Sequence, residues 1–426
     1  MRRSNRRYPG DAPQLSALPQ DGRVLYAYHD MMRRAAMPWV QALDAGRSAL
    51  DHGPHTLPPL RLTAAWIGLW TDAVRHHGKP PFGLAETREE VVLERPFVTL
   101  RRFVRRSTGT ANGTILLVAP MSGNHATLLR DTVDALIDHH DVVITDWRCA
   151  SEVPLAEGTF GLDDFVLELE RAARHIAATD GRPHVVAVCQ PGVAALAATA
   201  RLCAADDAAR PRSLTLIGSP VDTSRNPMLP NRVAEQRPLS WFRRTLVSRV
   251  PRGRPGAGRT VYPGFLQHQA FLWMKPFYHV DKHCDHLRAA FAGDEETMRA
   301  HDDFYAEFRS VADLPGDFYL ETIDRIFQRN LLARGELEVA GALVRPDAVR
   351  DAPVLVVEGE RDDITGPGQT AAALDLLTGL AEADRHHHLQ AGVGHYGLFS
   401  GSRWRSDVLP RLLAHFEAAA TASPTG

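Results

Sequence analysis

The sequence predicts an α/β fold in which a mostly parallel, doubly wound sheet forms the core. Three observations predict it. From residue 98 onward strand-like and helix-like patterns alternate, most strand-like runs are short and wholly apolar or β-branched, and the connections between them are short. The first run alternates polar and apolar residues, which indicates an edge strand, whereas the runs at 114–119, 142–145 and 184–189 indicate buried strands. The predicted strands cover residues 98–104, 114–119, 142–145, 184–189, 213–217, 354–358 and 387–390.

Helical spacing of apolar residues fills the intervals between these strands. The predicted helices of the core cover residues 126–138, 162–178, 192–204, 369–377 and 406–418. Ahead of the core lie a loose arm rich in Pro, Arg and Ser over residues 1–20 and two further predicted helices, at 24–43 and 62–74. We therefore divide the chain into an N-terminal arm with helices (1–95), a first part of the core (96–220), an insertion (221–345) and a second part of the core (346–426).

The insertion at 221–345 differs in composition and residue pattern from the segments on either side. Its first part is rich in aromatic residues, Pro and Gly, and its later part is helical, at 295–308 and 317–330. An insertion between two sheet strands lies where a lid over a site would be found, so we predict a helical, aromatic-rich lid. An additional packing layer remains the alternative. The aromatic residues of its first part are Trp241, Phe242, Tyr262, Phe265, Phe271 and Trp273.

Composition excludes several classes of protein. The formal net charge of the 426 residues is −2, so no electrostatic footprint for nucleic acid is present. No stretch reaches the roughly 18 apolar residues of a membrane span, and the basic start lacks the apolar region of a secretory signal. The four cysteines are scattered without CxxC spacing, which favours free thiols in a reducing, cytoplasmic compartment.

The segment 184–192 carries the strongest chemical signal. A buried strand ends at Cys189 and a helix of small residues begins directly afterwards, which is the layout of a nucleophile elbow. The two positions usually occupied by glycine are Ala187, which is small, and Pro191, which suits the first turn of a helix. A helix N-terminus and a neighbouring imidazolium would both favour the thiolate. We predict an α/β-hydrolase fold with Cys189 as nucleophile; the alternative is a small buried core thiol.

The partners of the nucleophile follow it in the order acid, then histidine. The predicted strand at 354–358 leads into a loop that carries Asp362 and Asp363, of which Asp362 is preferred as the acid and Asp363 stays open. After the last predicted strand, His395 lies on a loop between Gly394 and a nearby second glycine, Gly397. We predict that His395 is the base; the alternative is a solvated surface histidine.

An oxyanion hole requires backbone N–H donors at the place where negative charge develops. One predicted donor is the N–H of Gln190, directly after the nucleophile. The second should come from the loop after residues 114–119, where Pro120 has no N–H, so that Met121 or Ser122 is the candidate. A plain strand-to-helix turn is the alternative.

Two groups of histidines resemble metal sites only superficially. His386, His387 and His388 are consecutive on a predicted strand, so neighbours point to opposite faces of the sheet. His283 and His286 lie close together, but the sequence around them offers no distant second pair of ligands. We therefore expect neither a metal nor a cofactor.

Several motifs, in order along most of the chain, resemble those of the intracellular polyhydroxyalkanoate (polyhydroxybutyrate) depolymerases. The resemblance implies hydrolysis of ester bonds in amorphous intracellular polyester granules, with Cys189 as nucleophile, Asp362 as acid and His395 as base. It also implies a partner, the granule of poly-3-hydroxybutyrate or its oligomers, and a location at storage granules. The chain departs from the family at Asn124 and His125, where a histidine often follows Ser-Gly, and in its basic N-terminal arm. The motifs are GKPPFG at 78–83, APMSG at 119–123, DW at 146–147, VCQP at 188–191, VYPGF at 261–265, EGERDDI at 358–364 and GHYG at 394–397.

The aromatic residues of the insertion are candidates for a polymer groove. Tyr262, Phe265 and Trp273 are the predicted substrate contacts, because Pro263 and Gly264 suggest an exposed turn between the first two. The alternative is that these rings form the core of the insertion.

Other activities stay open at this point. A polyhydroxyalkanoate synthase-like acyltransferase would be expected to carry glycines on both sides of the cysteine, and a generic esterase or thioesterase would share the same catalytic groups. A granule-binding protein without catalysis is a third alternative. Sequence leaves open the oligomeric state, the chain-length preference and whether coenzyme A replaces water as acceptor.

Overall fold

The structure is a computed structural model that describes residues 22–51, 57–75, 78–107 and 113–421. An eight-stranded sheet forms the centre of this described part of the protein. Its spatial order is β1-β2-β4-β3-β5-β6-β7-β8, with β1–β2 and β2–β4 antiparallel and the remaining pairs parallel. The predicted α/β-hydrolase fold is confirmed. The strands are β1 Glu89–Glu94, β2 Val98–Phe103, β3 Thr114–Val118, β4 Asp141–Trp147, β5 His184–Val188, β6 Ser213–Ile217, β7 Val354–Gly359 and β8 Arg385–Gln390.

The prediction that residues 98–104 form the edge strand is wrong, because β1 lies outside β2. The polar residues of β2 are paired rather than solvated: Arg101 Nε lies 2.6 Å from Asp146 Oδ2, and Arg102 pairs with Asp180 at 2.9 Å. The edge strand on this side of the sheet is β1, which has the sequence EEVVLE and is exposed or partly exposed along its whole length. Its charges protect an edge from pairing with other chains, but they also hide the strand in the sequence.

Helices fill the connections between strands. Of these, α3, α4, α5, α12 and α14 contact the central sheet, and β3 and β5 are buried over their whole length. None of the helices in the described ranges is long and apolar enough to cross a membrane. The helices are α1 Gly22–Asp51, α2 Pro58–Val74, α3 Arg130–Leu136, α4 Leu162–Asp180, α5 Gly192–Ala204, α6 Leu229–Gln236, α7 Leu239–Thr245, α8 Gly264–Met274, α9 Pro276–Ala292, α10 Glu295–Arg309, α11 Gly316–Glu321, α12 Ala372–Leu376, α13 Gly401–Arg403 and α14 Leu409–Thr421.

The segment between β6 and β7 forms a cap. It contains α6 to α11, a π-helical stretch at Thr322–Gln328, and three short antiparallel strands at Ser248–Arg249, Thr260–Tyr262 and Leu314–Pro315. The N-terminal helices pack on this cap, because α2 contacts both α1 and α9. A buried hydrogen bond from Tyr26 Oη to Asp313 Oδ2, 2.7 Å long, joins α1 to the cap. The predicted arm at residues 1–20 lies outside the described residues.

Candidate active site

The turn from β5 to α5 holds Cys189 in an unusual backbone conformation. Its φ is +67°, in the left-handed region that side chains other than glycine rarely adopt. The Cys189 N–H donates to Ile217 O at 2.7 Å, and Cys189 O accepts from Gly192 N–H at 3.1 Å. Such strain is stored where the surrounding structure fixes it, and a partly buried, free thiol is thereby held above the end of the strand.

Small residues around the turn allow the helix to approach the neighbouring strand. A Cβ added at Gly192 would lie only 2.0 Å from Ser219 Oγ, so no larger residue fits there. Pro191 precedes α5 with a φ of −68°, the value that its ring imposes and that a helix start accepts. The sequence departures from glycine at Ala187 and Pro191 are therefore compatible with the elbow.

His395 and Asp362 form a buried pair. His395 Nδ1 lies 2.7 Å from Asp362 Oδ2, and the two side chains are 5% and 1% exposed. The other carboxylate oxygen, Asp362 Oδ1, accepts the N–H groups of Ile364 and Thr365, each at 2.9 Å. These two bonds fix the carboxylate so that it can orient the imidazole.

The surroundings of His395 favour its charged form. Burial alone would lower its pKa, but the nearby Cys189 and Asp362 outweigh that effect and raise the pKa of His395 well above its ordinary value. An imidazolium beside a thiol in turn favours the thiolate. The arrangement is therefore suited to an ion pair between Cys189 and His395.

Asp363 lies outside this arrangement. Its carboxylate pairs with Lys275 Nζ of the cap at 2.8 Å, and its side chain is 41% exposed. The structure thus brings Asp362, and not Asp363, to His395.

The backbone around Gln190 and the loop after β3 offers donors for an oxyanion. Within the described residues, the N–H groups of Met121, Ser122 and Gln190 have no hydrogen-bond acceptor. The neighbouring Gly123 is engaged, because its N–H donates to Gln267 Oε1 at 3.1 Å. Asn124 is structural: its side-chain amide donates to Glu307 O and so ties this loop to α10.

Three further residues beside the triad were not assigned from the sequence. The side-chain amide of Gln190 is buried, and within the described residues neither its nitrogen nor its oxygen has a hydrogen-bond partner. Gly218 has a φ of +55°, and a Cβ there would lie 3.1 Å from the His395 ring. The Tyr396 ring meets the His395 ring edge-on, with centroids 6.0 Å apart. Gln190 and Tyr396 belong to the sequence motifs around Cys189 and His395, whereas Gly218 carried no such signal.

The predicted groove residues have different surroundings. Trp273, on α8, is 63% exposed. Tyr262 is half-buried and stacks on Tyr319, with ring centroids 4.1 Å apart. Phe265 packs on α1, where it stacks on His29 at 3.9 Å and meets Tyr26 edge-on at 5.9 Å.

The expectation of an exposed turn at Pro263 and Gly264 is wrong. Both residues are buried, and the Gly264 N–H donates to Asp313 Oδ1 at 2.7 Å. A Cβ at Gly264 would lie 2.2 Å from Val311 O, so the glycine allows close packing of two backbone segments. The proposal that Phe265 contacts substrate loses its basis, because this ring fills the seam between the cap and α1.

Of the remaining aromatic residues of the insertion, two pack inside the cap and one lies near the active site. Phe242 is buried, and Trp241 packs edge-on against it at 5.0 Å within a small cluster of the cap. Phe271, in contrast, lies against the loop after β3, where a Cβ on Gly123 would be 3.3 Å from its ring. Phe271 is thus close to the proposed oxyanion donors, and its place could not be read from the sequence.

Comparisons with known proteins add the family. Residues 218–420 match the family described as "PHB de-polymerase C-terminus". These residues, slightly less than half of the chain, are therefore similar to that family. The matched region contains the cap, Asp362 and His395, whereas Cys189 precedes it.

A curated protein with a similar segment is the poly(3-hydroxyalkanoate) polymerase subunit PhaC of Haloarcula marismortui. It is 28% identical over 111 residues, which are 26% of this chain and 22% of that protein. The alignment therefore spans about a fifth of the relative's length.

Solved structures with a similar chain course include two hydrolases. An esterase from Thermogutta terrifontis is 16% identical with a TM-score of 0.44, covering 79% of this chain and 100% of that one. A monoacylglycerol lipase from Paleococcus ferrophilus is 13% identical with a TM-score of 0.46, covering 76% and 99%.

Proposed function

We propose that the protein is an intracellular poly-3-hydroxybutyrate depolymerase that cleaves the ester bonds of storage polyester through a thioester on Cys189. The observation that carries this proposal is the buried pair of His395 and Asp362 beside a strained cysteine, in a chain whose residues 218–420 match the PHB depolymerase family. The polyester granule or its oligomers are the proposed partner, and association with storage granules follows from that substrate.

The first half-reaction acylates the cysteine. The Cys189 thiolate attacks the ester carbonyl carbon, and the oxyanion accepts hydrogen bonds from the N–H of Gln190 and from that of Met121 or Ser122. As the tetrahedral intermediate collapses, the C–O bond breaks and the alkoxide takes the proton of His395. The hydroxyl-terminated part of the polymer leaves, and an acyl thioester remains.

The second half-reaction hydrolyses the thioester. Neutral His395 removes a proton from water, the hydroxide attacks the thioester carbonyl, and the Cys189 thiolate departs. The Asp362 carboxylate orients the ring and supports the imidazolium at both stages. Cysteine suits this chemistry, because neither an ester nor a thioester requires expulsion of an amine.

An acyltransferase of the polyhydroxyalkanoate synthase type is the second candidate, and the similarity to a polymerase subunit favours it. In that reaction a hydroxyl end of the polymer, rather than water, would accept the acyl group. Ala187 and Pro191, in place of the glycines expected around a synthase cysteine, favour the hydrolase instead.

Two assays separate these functions. A depolymerase clears a suspension of amorphous poly-3-hydroxybutyrate granules and releases soluble hydroxy acids, whereas a synthase releases coenzyme A from 3-hydroxybutyryl-CoA. A generic esterase cleaves a soluble short-chain ester but leaves the granules turbid. Coenzyme A release without clearing of granules would overturn the proposal.

The nucleophile is tested with Cys189→Ala, which should abolish granule clearing to below about one part in a thousand. The matched control is Cys284→Ala, since Cys284 is an exposed thiol of the cap. In the Cys284→Ala variant, iodoacetamide should inactivate the enzyme by modifying Cys189, because burial raises the pKa of Cys149 to about 12 and that of Cys203 to about 11. Retained activity in Cys189→Ala contradicts the mechanism.

A further inference from the structure

The cap contains a group of histidines that the proposed reaction does not use. They lie on two helices, His283 and His286 on α9 and His301 on α10, and Asp302 follows directly. The sequence offered only the first pair, without distant partners. Folding supplies the second pair, because α9 and α10 pack side by side.

The ligand atoms of three of these residues converge. One atom each from His286, His301 and Asp302 lie within 4.8 Å of one another. His301 Nδ1 is 3.1 Å from Asp302 Oδ1, and His286 Nδ1 is 3.8 Å from the same oxygen. Two ligands at zinc distances in a tetrahedral site stand about 3.3 Å apart, so these separations can accommodate an ion with little movement.

His286 provides a second, independent observation. Its side chain is 4% exposed, and within the described residues its buried Nδ1 has no hydrogen-bond partner. Buried polar atoms are normally satisfied, so an orphaned imidazole nitrogen beside a carboxylate indicates that something binds there. We propose that His286, His301 and Asp302 form a binding site for a divalent transition metal, with zinc the best match, that joins α9 to α10.

A fourth residue, His283, orients one of the proposed ligands. His283 Nδ1 lies 3.1 Å from His301 Nε2, the nitrogen that is not needed for the metal. This bond fixes the orientation of the His301 ring, as outer partners of metal-binding histidines commonly do. The His283 ring in turn stacks on Tyr305, with centroids 4.5 Å apart.

Donor chemistry and charge select the kind of ion. Two imidazoles and one carboxylate suit zinc and its neighbours better than calcium or magnesium, which prefer oxygen ligands. Arg47 and Arg309 lie nearby and weaken cation binding, although Arg309 is paired with Asp72 at 3.5 Å.

Access and position suit a structural clip. The Asp302 side chain is 47% exposed, so an ion reaches the site from solvent, whereas His286 and His301 are buried beneath it. A metal here would cross-link two cap helices, one of which, α9, also contacts α2. The site is independent of ester hydrolysis, so the proposal stands or falls by itself.

The test is zinc binding to the full-length protein after treatment with a chelator, followed by titration calorimetry. We expect one zinc per chain, together with a visible absorption band when cobalt is used as probe. His286→Ala and His301→Ala should each weaken binding at least about a hundredfold, and His283→Ala about tenfold. His139→Ala, at an exposed histidine outside the cluster, should leave affinity unchanged.

Asp302→Asn keeps the test decisive if a buried histidine variant fails to fold. Asp302 is half-exposed, so its replacement leaves the packing of α10 intact, which circular dichroism can verify. Affinity should fall about tenfold or more. No zinc uptake by the chelator-treated protein, or uptake equal in wild type, Asp302→Asn and His301→Ala, would overturn the proposal.

Discussion

Two buried histidines in the C-terminal part of the chain have opposite acid–base behaviour. His395 follows the last strand, β8, and His415 lies on α14, which contacts β6. Their side chains are 5% and 6% exposed. The pKa of His395 is raised well above its ordinary value, whereas that of His415 is lowered to about 4. Equal burial therefore does not decide the protonation state of a histidine.

The neighbours explain the difference. Burial disfavours the charged ring at both positions, but His395 has Cys189 and Asp362 beside it, and these outweigh burial. His415 has His386 as its ionisable neighbour, with ring centroids 5.6 Å apart, and a second imidazole adds to the effect of burial. A buried histidine thus becomes a useful base when anions are placed around it, and remains a neutral packing residue without them.

The largest expected effect on this contrast comes from removing the carboxylate of Asp362. Asp362→Asn removes one of the two anions beside the buried His395 and deprives the imidazole of the carboxylate that orients it. We expect turnover on granules to fall by about a thousand- to ten-thousandfold, as measured by release of hydroxy acid. Asp363→Asn should lose less than about threefold, since its carboxylate pairs with Lys275. A larger loss in Asp363→Asn than in Asp362→Asn would exclude the proposed acid.

The core could be predicted from sequence further than the cap. Cys189, Asp362 and His395 each follow a parallel strand, and the ends of parallel strands meet at one edge of a sheet. Strand periodicity is therefore sufficient to bring them together. The preference for Asp362 over Asp363 agrees with the geometry, because the 2.7 Å contact to His395 is made by Asp362.

The cap and the edge of the sheet could not be predicted in this way. Phe265 and Phe271 are six residues apart, yet one packs on α1 and the other on the loop at Gly123. Helix-to-helix placement is decided by tertiary contacts that leave no periodic signal, and the same holds for the meeting of α9 and α10. The strand β1 was missed because its charged sequence resembles a loop.

A second prediction concerns stability at acid pH and rests on His415. The folded pKa of about 4 is below the ordinary 6.5, so between these values the unfolded chain binds a proton that the folded chain does not. The contribution of neutral His415 to the free energy of unfolding is therefore fully present above about pH 6.5. It decreases by about 1 kcal/mol per pH unit as the pH falls towards 4. His415→Gln should show a smaller fall in melting temperature between pH 7 and pH 5. His139→Gln, at an exposed position, should behave like wild type; equal falls in all three proteins would contradict the assignment.

A third prediction tests the charged state of His395 directly. Cys189 and Asp362 raise the pKa of His395 well above its ordinary value, so the imidazolium is the favoured form, and an imidazolium beside a thiol favours the thiolate. The rate of iodoacetamide modification at Cys189, measured by mass spectrometry, should change less than about threefold between pH 6 and pH 8. N-acetylcysteine, measured in parallel, should slow about tenfold per pH unit, as an ordinary thiol does. A Cys189 rate that follows the free thiol would mean that His395 is neutral at rest.

The smallest expected effect concerns an exposed aromatic residue of the cap, compared with one that packs inside it. Trp273 is 63% exposed, so Trp273→Ala removes apolar surface available to a polymer without opening a cavity. We expect granule hydrolysis to fall several-fold, while cleavage of a soluble short-chain ester and the melting temperature stay within error. Phe265→Ala is the matched control, because Phe265 stacks on His29 and its loss should cost up to about 3 kcal/mol of stability. Phe265→Ala should thus lower the melting temperature and reduce both activities together. If Trp273→Ala does the same, the exposed face of α8 is structural, and the polymer binds elsewhere, with Phe271 beside the oxyanion loop as the next residue to replace.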